Sequence, residues 1–309
     1  MSKTMRYSLV LLLTAAIWGF AFVAQSAGGD AIGPFTFNSV RNLLGAVVLL
    51  PVLLILERIG AGREKKKPRS KTARKKVLWQ GAVIGFLLFA ATNLQQLGIT
   101  YGRSAGKAGF ITAFYLVLVP ILGLFFGKKC PVVIWLAVAL AMAGIYFISI
   151  SETASLSWPD ILLLLSALGF AIQILFVDRF MADAEDPLHA VRLAMMEFLV
   201  CGILSGIPAL FLERQYWSGG IASFLQPDAL ISILYAGILS CGVAYTLQIV
   251  GQKNVPPTLA SLLMSFESVF CLLGGWLLLG EVLTPRQIFG CCLMFVAVLT
   301  AQLSDHFAH

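Results

Sequence analysis

The sequence predicts an all-α polytopic membrane protein in which ten transmembrane helices form two inverted repeats of five helices each. Composition is the first of three observations behind this prediction. Of the 309 residues, 59% are hydrophobic and 12% are charged, and the mean hydropathy is +0.89. Ordinary soluble domains carry roughly 25% charged residues. A chain with so few polar side chains cannot cover a water-facing surface, so its solvent must be lipid.

An internal repeat is the second observation. Residues 91–98 and 244–251 share the pattern A-x-x-L-Q-x-x-G and lie 153 residues apart. In a membrane protein, such a duplication is typical of secondary transporters. Two shorter segments are also repeated in the same order at nearly the same spacing: Gly19-Phe20-Ala21 recurs as Gly169-Phe170-Ala171, and Val40-Arg41 recurs as Val191-Arg192.

The boundary between the repeats is predicted at a short polar segment, residues 151–158. The first repeat then covers residues 1–151, and the second covers residues 152–309. The predicted spans use nearly the whole chain, so no segment remains for a soluble catalytic or nucleic-acid-binding domain.

Ten apolar stretches are long enough to cross a bilayer, which takes about 20 apolar residues in a helix. The first stretch follows Lys3 and Arg6, as a signal peptide would, but it lacks an A-x-A cleavage site, so we expect a retained span. Several later stretches open at a proline, which fits the first turn of a helix because its missing N–H would have no partner there. The stretches are 7–25, 34–57, 77–98, 106–127, 131–150, 159–178, 189–212, 228–250, 256–279 and 285–303.

The distribution of Lys and Arg is the third observation, and it predicts the orientation. Ten of the 22 Lys and Arg lie between Arg58 and Lys76, which indicates a cytoplasmic loop under the positive-inside rule. With that loop inside, both termini are cytoplasmic, and the inner loops hold sixteen basic residues against four in the outer loops. Because each repeat has an odd number of helices, the second repeat enters the membrane from the opposite side.

Motifs of other protein classes are missing from the sequence. It contains no phosphate-binding loop, no G-x-S-x-G and no H-E-x-x-H, so we predict no catalytic residues, no metal and no cofactor. The six cysteines form no C-x-x-C pair and are expected to act as small apolar residues. The net charge of +7 is concentrated in the 58–76 loop and does not indicate nucleic-acid binding.

Glu267 is the most informative ionisable residue within a predicted span. It is the twelfth residue of the 24-residue stretch 256–279, near the bilayer midplane, where carriers place their sites. A charge at this depth costs about 2.5–3.5 kcal/mol on insertion scales. Two interpretations remain open. Glu267 faces a cavity and carries a proton or neutralises a cationic substrate group, or a protonated Glu267 makes a structural hydrogen bond between helices.

Two further charged residues lie within spans. Arg41 is the eighth residue of the second stretch and shares a helical face with Asn38 and Asn42. Its guanidinium could bind a carboxylate or phosphate, pair with an acid of the protein, or extend to the membrane surface. Glu197 is the ninth residue of the seventh stretch and is the other acid that could carry a proton.

The repeated A-x-x-L-Q-x-x-G motif supplies Gln95 and Gln248. In the inverted arrangement, Gln95 lies near the outer end of span three and Gln248 near the inner end of span eight. Buried amides need hydrogen-bond partners. The two glutamines are therefore either matched gate residues or helix-end groups with structural bonds.

Three segments carry a resemblance to a known family, and together with the repeat they cover about residues 7–150 and 159–303. The chain resembles the EamA-type members of the drug/metabolite transporter superfamily. It departs from the family pattern at Ser268, where a proline is often found, whereas the first repeat keeps its proline at Pro120. The segments are Trp18-Gly19-Phe20-Ala21-Phe22-Val23, Gly242-Val243-Ala244-Tyr245-Thr246-Leu247-Gln248, and the stretch from Ala260 to Phe270 with Leu279-Gly280-Glu281.

The resemblance implies a ten-helix inner-membrane carrier, most often an exporter of small metabolites such as amino acids or amphipathic compounds. We therefore expect a secondary transporter that works by alternating access. Its expected partners are a small-molecule substrate, the lipid bilayer and a proton carried by Glu267 or Glu197, with no nucleic acid. We expect a monomer or a homodimer.

Alternatives to a coupled exporter remain. An uncoupled facilitator or an importer would show the same sequence features. A membrane-embedded enzyme fits less well because the spans contain no cluster of nucleophiles, metal ligands or acid pairs. A channel fits less well because the internal duplication removes the need for a ring of subunits.

Overall fold

A chain this apolar satisfies its backbone hydrogen bonds in lipid by forming helices. A computed structural model describes residues 3–58, 71–102, 105–128, 130–149, 157–182, 184, 188–217, 219–279 and 284–307. In these ranges the chain is helical apart from short turns and caps, and they contain no strand. The all-α fold class is therefore confirmed.

The first predicted repeat begins with long helices and continues with shorter ones. Its helices are α1 (Lys3–Ile32), α2 (Pro34–Arg58), α3 (Lys71–Gly102), α4 (Ala105–Thr112), α5 (Tyr115–Phe125) and α6 (Val132–Ser149).

The second predicted repeat follows the same order of long and short helices and adds two irregular segments, a 3-10 turn at Arg214–Trp217 and a π-helix at Tyr235–Tyr245. Its helices are α7 (Trp158–Ala182), α8 (His189–Leu212), α9 (Ile221–Leu225), α10 (Pro227–Leu234), α11 (Thr246–Gln252), α12 (Pro257–Met264), α13 (Glu267–Leu279) and α14 (Pro285–Phe307).

The helices agree with a protein that crosses the membrane many times. A helix or a run of consecutive helices lies in each of the ten predicted stretches. Within the described residues, eight of these segments are long and apolar enough to cross a membrane, judged by length and composition. The other two contain the shorter apolar helices Val132–Ile148 and Pro285–Ala301. A multi-pass membrane protein is thus confirmed, while the count of ten crossings and the inverted arrangement stay predictions.

Glycines let some of these helices approach closely. α6 and α14 cross at Gly144 and Gly290. A Cβ on Gly144 would lie 2.8 Å from the carbonyl oxygen of Gly290, and a Cβ on Gly290 would lie 2.6 Å from the carbonyl oxygen of Gly144. In a bilayer no hydrophobic effect drives apolar helix surfaces together, because lipid tails are equally apolar. Close backbone packing of this kind therefore contributes much of the attraction between helices.

The fourth and ninth spans are interrupted, although the sequence predicts a continuous helix for each. The chain turns at residues 113–114, between α4 and α5, and at residues 265–266, between α12 and α13. Backbone N–H groups at these turns bond carbonyls three residues back rather than four. Phe114 N donates to Ile111 O at 3.1 Å, and Phe266 N donates to Leu263 O at 3.3 Å.

A side chain contributes to the second interruption. The Ser265 hydroxyl donates to the Leu262 carbonyl oxygen at 2.8 Å. Such a bond from Ser to the backbone competes with the regular helical ladder. The eighth span is also irregular, because the π-helix Tyr235–Tyr245 lies in its middle. Tightened and widened turns of this kind often mark hinges and functional sites in helices.

Candidate functional site

All three irregular spans meet at a cavity inside the helix bundle, here called the central cavity. It offers about 40 Å³ to the centres of water molecules, which is room for roughly three waters. Its walls come from both predicted repeats. The polar and charged side chains in the wall are Gln25, Arg41, Gln95, Gln173, Gln248 and Glu267, and the aromatic ones are Trp18, Phe22, Tyr115, Phe170 and Tyr245.

The two interrupted spans place equivalent residues at this cavity. Tyr115 is the first residue of α5 and Glu267 is the first residue of α13, and they lie 152 residues apart, close to the spacing of the sequence repeat. The Tyr115 hydroxyl donates to Glu267 Oε1 at 3.4 Å. Among the described residues, no Lys or Arg forms an ion pair with Glu267, which is only 5% exposed. As the first residue of α13, Glu267 lies at the positive end of that helix's dipole, which favours a negative charge there.

Arg41 faces the central cavity from α2, and it is 2% exposed. Its guanidinium carbon lies 5.5 Å from the centre of the Phe37 ring. Within the described part of the chain no carboxylate forms an ion pair with Arg41, and its Nε has no hydrogen-bond partner. A buried guanidinium without a protein anion is expected to serve a ligand.

Asn38 and Asn42, which share the helical face of Arg41, do not line the cavity. Asn38 Nδ2 donates to Thr92 O at 3.0 Å and to Asn93 Oδ1 at 3.1 Å, so it ties α2 to α3. Asn42 Nδ2 donates to Asn38 O at 2.8 Å, within α2 itself. The structure therefore separates this trio into one cavity residue and two residues that hold helices.

Glu197 is fully buried and lies behind the cavity wall rather than in it. Gln173 Nε2 donates to Glu197 Oε1 at 2.8 Å, and Gln248 Nε2 donates to Gln173 Oε1 at 3.2 Å. Both glutamines line the cavity. Glu197 is thus joined to the cavity through the side chain of Gln173, which is bonded in turn to Gln248.

Gln95 and Gln248 line the same cavity, although the sequence places them near opposite ends of their spans. Gln95 Nε2 lies 3.5 Å from Thr112 Oγ1, next to the interruption of the fourth span. Their role as gate residues stays a prediction.

Four buried polar atoms at this cavity have no partner among the described protein groups. Two are donors, Trp18 Nε1 and Arg41 Nε, and two are acceptors, Gln25 Oε1 and Gln248 Oε1. More than nine in ten buried polar groups in proteins are hydrogen-bonded, so such atoms at one cavity call for water or a ligand. The cavity therefore offers both donors and acceptors to whatever enters it.

Sequence reasoning missed several of these cavity residues, among them Trp18, Gln25 and Gln173. Trp18 and Gln25 belong to span one, and Gln173 belongs to span six. Gln173 is an amide in the interior of an apolar stretch, which is a signal that could have pointed to it. Trp18 directly precedes the repeated Gly19-Phe20-Ala21 segment, but nothing in the sequence shows which way its indole faces.

The sequence predicts no metal site. Within the part of the chain that the structure describes, no three His, Cys, Asp or Glu side chains lie close enough to hold a metal ion. All six cysteines lie within the described residues, and no disulfide joins any two of them. Cys130 lies outside the spans, and burial raises the pKa of its thiol, which disfavours the reactive thiolate.

Comparison with known proteins agrees with this fold. A family model described as the EamA-like transporter family matches twice, at residues 5–150 and 157–301. An uncharacterized transporter of Archaeoglobus fulgidus is 29% identical over 97% of this chain and 87% of its own length.

Further relatives carry similar names. The uncharacterized transporter YwfM of Bacillus subtilis is 25% identical over 95% of this chain and 92% of its own length. The uncharacterized inner membrane transporter YedA of Escherichia coli K12 is 24% identical over 94% of this chain and 88% of its own length. A solved crystal structure with 16% identity superposes with a TM-score of 0.75 over 99% of both chains, which shows a shared fold.

Proposed function

This chain belongs to the EamA-like transporter family, and from that premise we propose that it is a secondary exporter of small dipolar metabolites, of which amino acids are the expected example. The family, the relatives and the many apolar helices make it a multi-pass membrane transporter. The substrate, the outward direction and the coupling are the proposal.

One observation carries the choice of substrate. Among the described residues, the buried Arg41 of the central cavity has no paired anion and the buried Glu267 has no paired cation, and further donors and acceptors at the cavity lack partners. A carboxylate would satisfy Arg41, and an ammonium group would satisfy Glu267. The aromatic rings of Trp18, Phe170 and Tyr245 provide an apolar surface for the rest of the molecule.

An amphipathic cation fits the cavity less completely. It would meet Glu267 and the aromatic rings, which attract cations through their faces. It would leave Arg41 buried with its charge uncompensated, and such a charge is costly in a low-dielectric interior. A molecule with both charges is therefore the better match.

We propose that the proton is the coupling ion and that Glu267 carries it. The negative charge of Glu267 is costly at its depth in the membrane. Either a proton or the ammonium group of a substrate can neutralise the Glu267 carboxylate, but the two cannot bind it at the same time. Proton uptake from the outside would therefore release substrate to the outside, which is export by exchange. Glu197, which is joined to the cavity through Gln173, is the second acid that could carry the coupling proton.

Alternating access would use the irregular segments of the bundle. In the proposed topology of ten crossings, two inverted repeats surround the cavity and both termini are cytoplasmic. The turns at residues 113–114 and 265–266 and the π-helix Tyr235–Tyr245 all border the site. Because their hydrogen bonds are already irregular, we expect them to bend as the cavity opens to either side.

Transport from liposomes tests the proposal. The purified full-length protein is reconstituted with an equimolar mixture of the twenty common L-amino acids inside, and mass spectrometry identifies those released. We expect release of a small subset, accelerated when the outside is more acidic than the inside. Protein-free liposomes are the control. Release of none of them at any pH gradient would contradict the proposed substrate, and release indifferent to the gradient would favour an uncoupled facilitator.

Cysteine labelling tests the proposed orientation. Ser70 and Ser155 lie outside the described residues, in the loops after the second and fifth predicted spans. In a cysteine-free background, a membrane-impermeant maleimide added to intact cells should label Ser155→Cys and leave Ser70→Cys unlabelled. The reverse pattern would require the opposite orientation.

A further inference from the structure

A second cavity lies apart from the transport site, between the start of α2 and the end of α8, and is here called the outer groove. It offers about 480 Å³ to the centres of water molecules. Val40 of α2 and Leu210 of α8 form its walls together with Trp217 and Phe224 of the following connection. We propose that the outer groove binds one acyl chain of a phospholipid whose phosphate group pairs with Arg214.

The polar atoms in the wall of the outer groove are already satisfied. The Thr36 hydroxyl donates to Glu213 Oε2 at 2.6 Å and accepts from Trp217 Nε1 at 3.1 Å. The Ser39 hydroxyl donates to the Gly202 carbonyl oxygen at 2.8 Å. Among the described wall residues, a polar metabolite would find no side-chain donor that is unpaired, whereas an apolar chain leaves all of these bonds intact. The chemistry of the wall therefore selects a hydrocarbon ligand.

The outer groove opens toward lipid. Leu210 is 53% exposed, and its neighbours Ile207 and Phe211 on α8 are 50% and 71% exposed, so this surface of the helix faces the bilayer. Gly206 adds no side chain to the wall of the groove, and a Cβ there would lie 3.1 Å from Ser39 Oγ. An acyl chain can enter sideways from the surrounding lipid without leaving an apolar environment.

Arg214 stands where the headgroup of such a lipid would lie. It follows the last turn of α8, and its Nε donates to the Leu210 carbonyl oxygen at 3.0 Å, which fastens the guanidinium beside the groove. Within the described residues, its terminal nitrogens bond no other group. A guanidinium fork matches the oxygens of a phosphate.

The nearest acid does not compete for Arg214. Glu213 accepts hydrogen bonds from the backbone N–H groups of Phe35 and Thr36, at 2.8 and 2.7 Å, so its carboxylate is turned toward the start of α2. Trp217, three residues after Arg214, lines the groove, and tryptophan is enriched where hydrocarbon meets headgroups. The positive charge of Arg214 and the position of Trp217 both favour a phospholipid headgroup at this end of the groove.

Photo-cross-linking of the full-length protein in detergent tests the proposal. The probe is phosphatidylglycerol with a diazirine in one acyl chain, and peptide mass spectrometry locates the cross-links. We expect them at Val40 and Phe224, in competition with unlabelled phosphatidylglycerol until the site is saturated. Leu210→Trp, which narrows the groove, should reduce this labelling about tenfold. Ile203→Trp is the matched control, because Ile203 is 59% exposed on the same helix and does not line the groove.

Headgroup recognition is tested separately. Arg214→Gln should weaken labelling by phosphatidylglycerol and leave labelling by a diacylglycerol with the same chain unchanged. Equal loss with both probes, or stronger competition by free palmitate than by phosphatidylglycerol, would overturn the phosphate contact.

Spread of the cross-links along α8 as far as Ile203, or labelling that unlabelled phosphatidylglycerol cannot saturate, would overturn the site itself. The saturation experiment uses the unmodified protein, so it tests the lipid site even if Leu210→Trp fails to fold. Transport plays no part in these measurements, so their outcome is independent of the proposed export.

Discussion

The central cavity and the outer groove share α2 as a wall, yet they differ in size and in what they leave unpaired. Arg41 faces the central cavity, while the preceding residue, Val40, lines the outer groove. The central cavity is the smaller by far, with about 40 Å³ against about 480 Å³, but four buried polar atoms in it have no partner among the described protein groups. In the larger groove the Thr36 and Ser39 hydroxyl groups are both hydrogen-bonded. The comparison teaches that unpaired polar atoms, and not volume, distinguish the proposed substrate site from the proposed lipid site.

Glu267 should give the largest effect on transport, because its charge is central to the cavity. We expect Glu267→Gln to lose most of the gradient-driven release, on the order of 100-fold, the upper range of typical coupling energies. Because the proposal also pairs Glu267 with the ammonium group of the substrate, exchange of substrate without a gradient should fall as well, and exchange that persists would mean that Glu267 carries only the proton. Parallel measurement of driven release and exchange in liposomes separates the two activities.

Transport by the Glu267 variants could also contradict the distinction drawn between the central cavity and the outer groove. If the Tyr115–Glu267 bond is only structural, Glu267→Gln will transport at the normal rate with normal pH dependence, while Glu267→Leu will fold poorly. That result would remove the acid from the transport mechanism. The same pair of variants at Glu197 would then show whether the acid behind the wall is the coupling residue.

Arg41→Gln should weaken substrate binding without removing coupling. Hydrogen bonds to charged groups contribute about 1.5–3 kcal/mol, so we expect KM to rise about tenfold to a hundredfold. Arg192→Gln is the matched control, because Arg192 is the repeat equivalent of Arg41 but bonds Glu57 at 2.6 Å away from the cavity. A similar rise in KM for both variants would show that loss of any arginine in these helices disturbs transport.

Gln173→Leu should have a smaller effect, since it breaks the amide link between Glu197 and Gln248. Loss of one neutral hydrogen bond costs about 1 kcal/mol, so KM should rise about fivefold. Gln252→Leu serves as the control, because Gln252 is equally buried and donates to Ile174 O at 3.2 Å without lining the cavity. An unchanged KM in Gln173→Leu would mean that the hydrogen bonds from Glu197 through Gln173 to Gln248 do not affect substrate binding.

Glu213→Gln should change stability and leave transport nearly unaltered. Its carboxylate caps the start of α2 beside the outer groove, and weakening these charge-assisted bonds is expected to cost about 1–3 kcal/mol. Thermal unfolding in detergent measures the loss, with Glu57→Gln at an exposed ion pair as the control. A marked fall in transport by folded Glu213→Gln would show that the groove side of α2 influences the cavity side.

The sequence predicted the long helices well because their signal is strong and local. The stretch 189–212 coincides with α8, and α2 differs from its predicted stretch by one residue. Length, apolar composition and helix-opening prolines are sufficient for such segments. Glu267 and Arg41 could also be singled out, because a charge within an apolar span is rare and must face the interior.

The interruptions and the fine structure of the site could not be predicted. Residues 113–114 and 265–266 differ little in composition from the helices on either side, and no proline or glycine marks either turn. The π-helix Tyr235–Tyr245 likewise has no local signature, because it depends on contacts such as the bond from the Tyr235 hydroxyl to Ile17 O at 2.9 Å. These features arise from packing between distant segments, which a single sequence does not report.

The glycine crossing of α6 and α14 has a consequence for how the bundle can move. A Cβ at either glycine would lie within 3.0 Å of the carbonyl oxygen of the other, and a backbone oxygen cannot turn aside as a flexible side chain can. Even alanine at Gly144 or Gly290 would therefore force the two helix axes apart. Because α6 ends the first predicted repeat and α14 ends the second, this contact joins the two repeats. We expect the pair to behave as one rigid body while other helices rearrange around the central cavity.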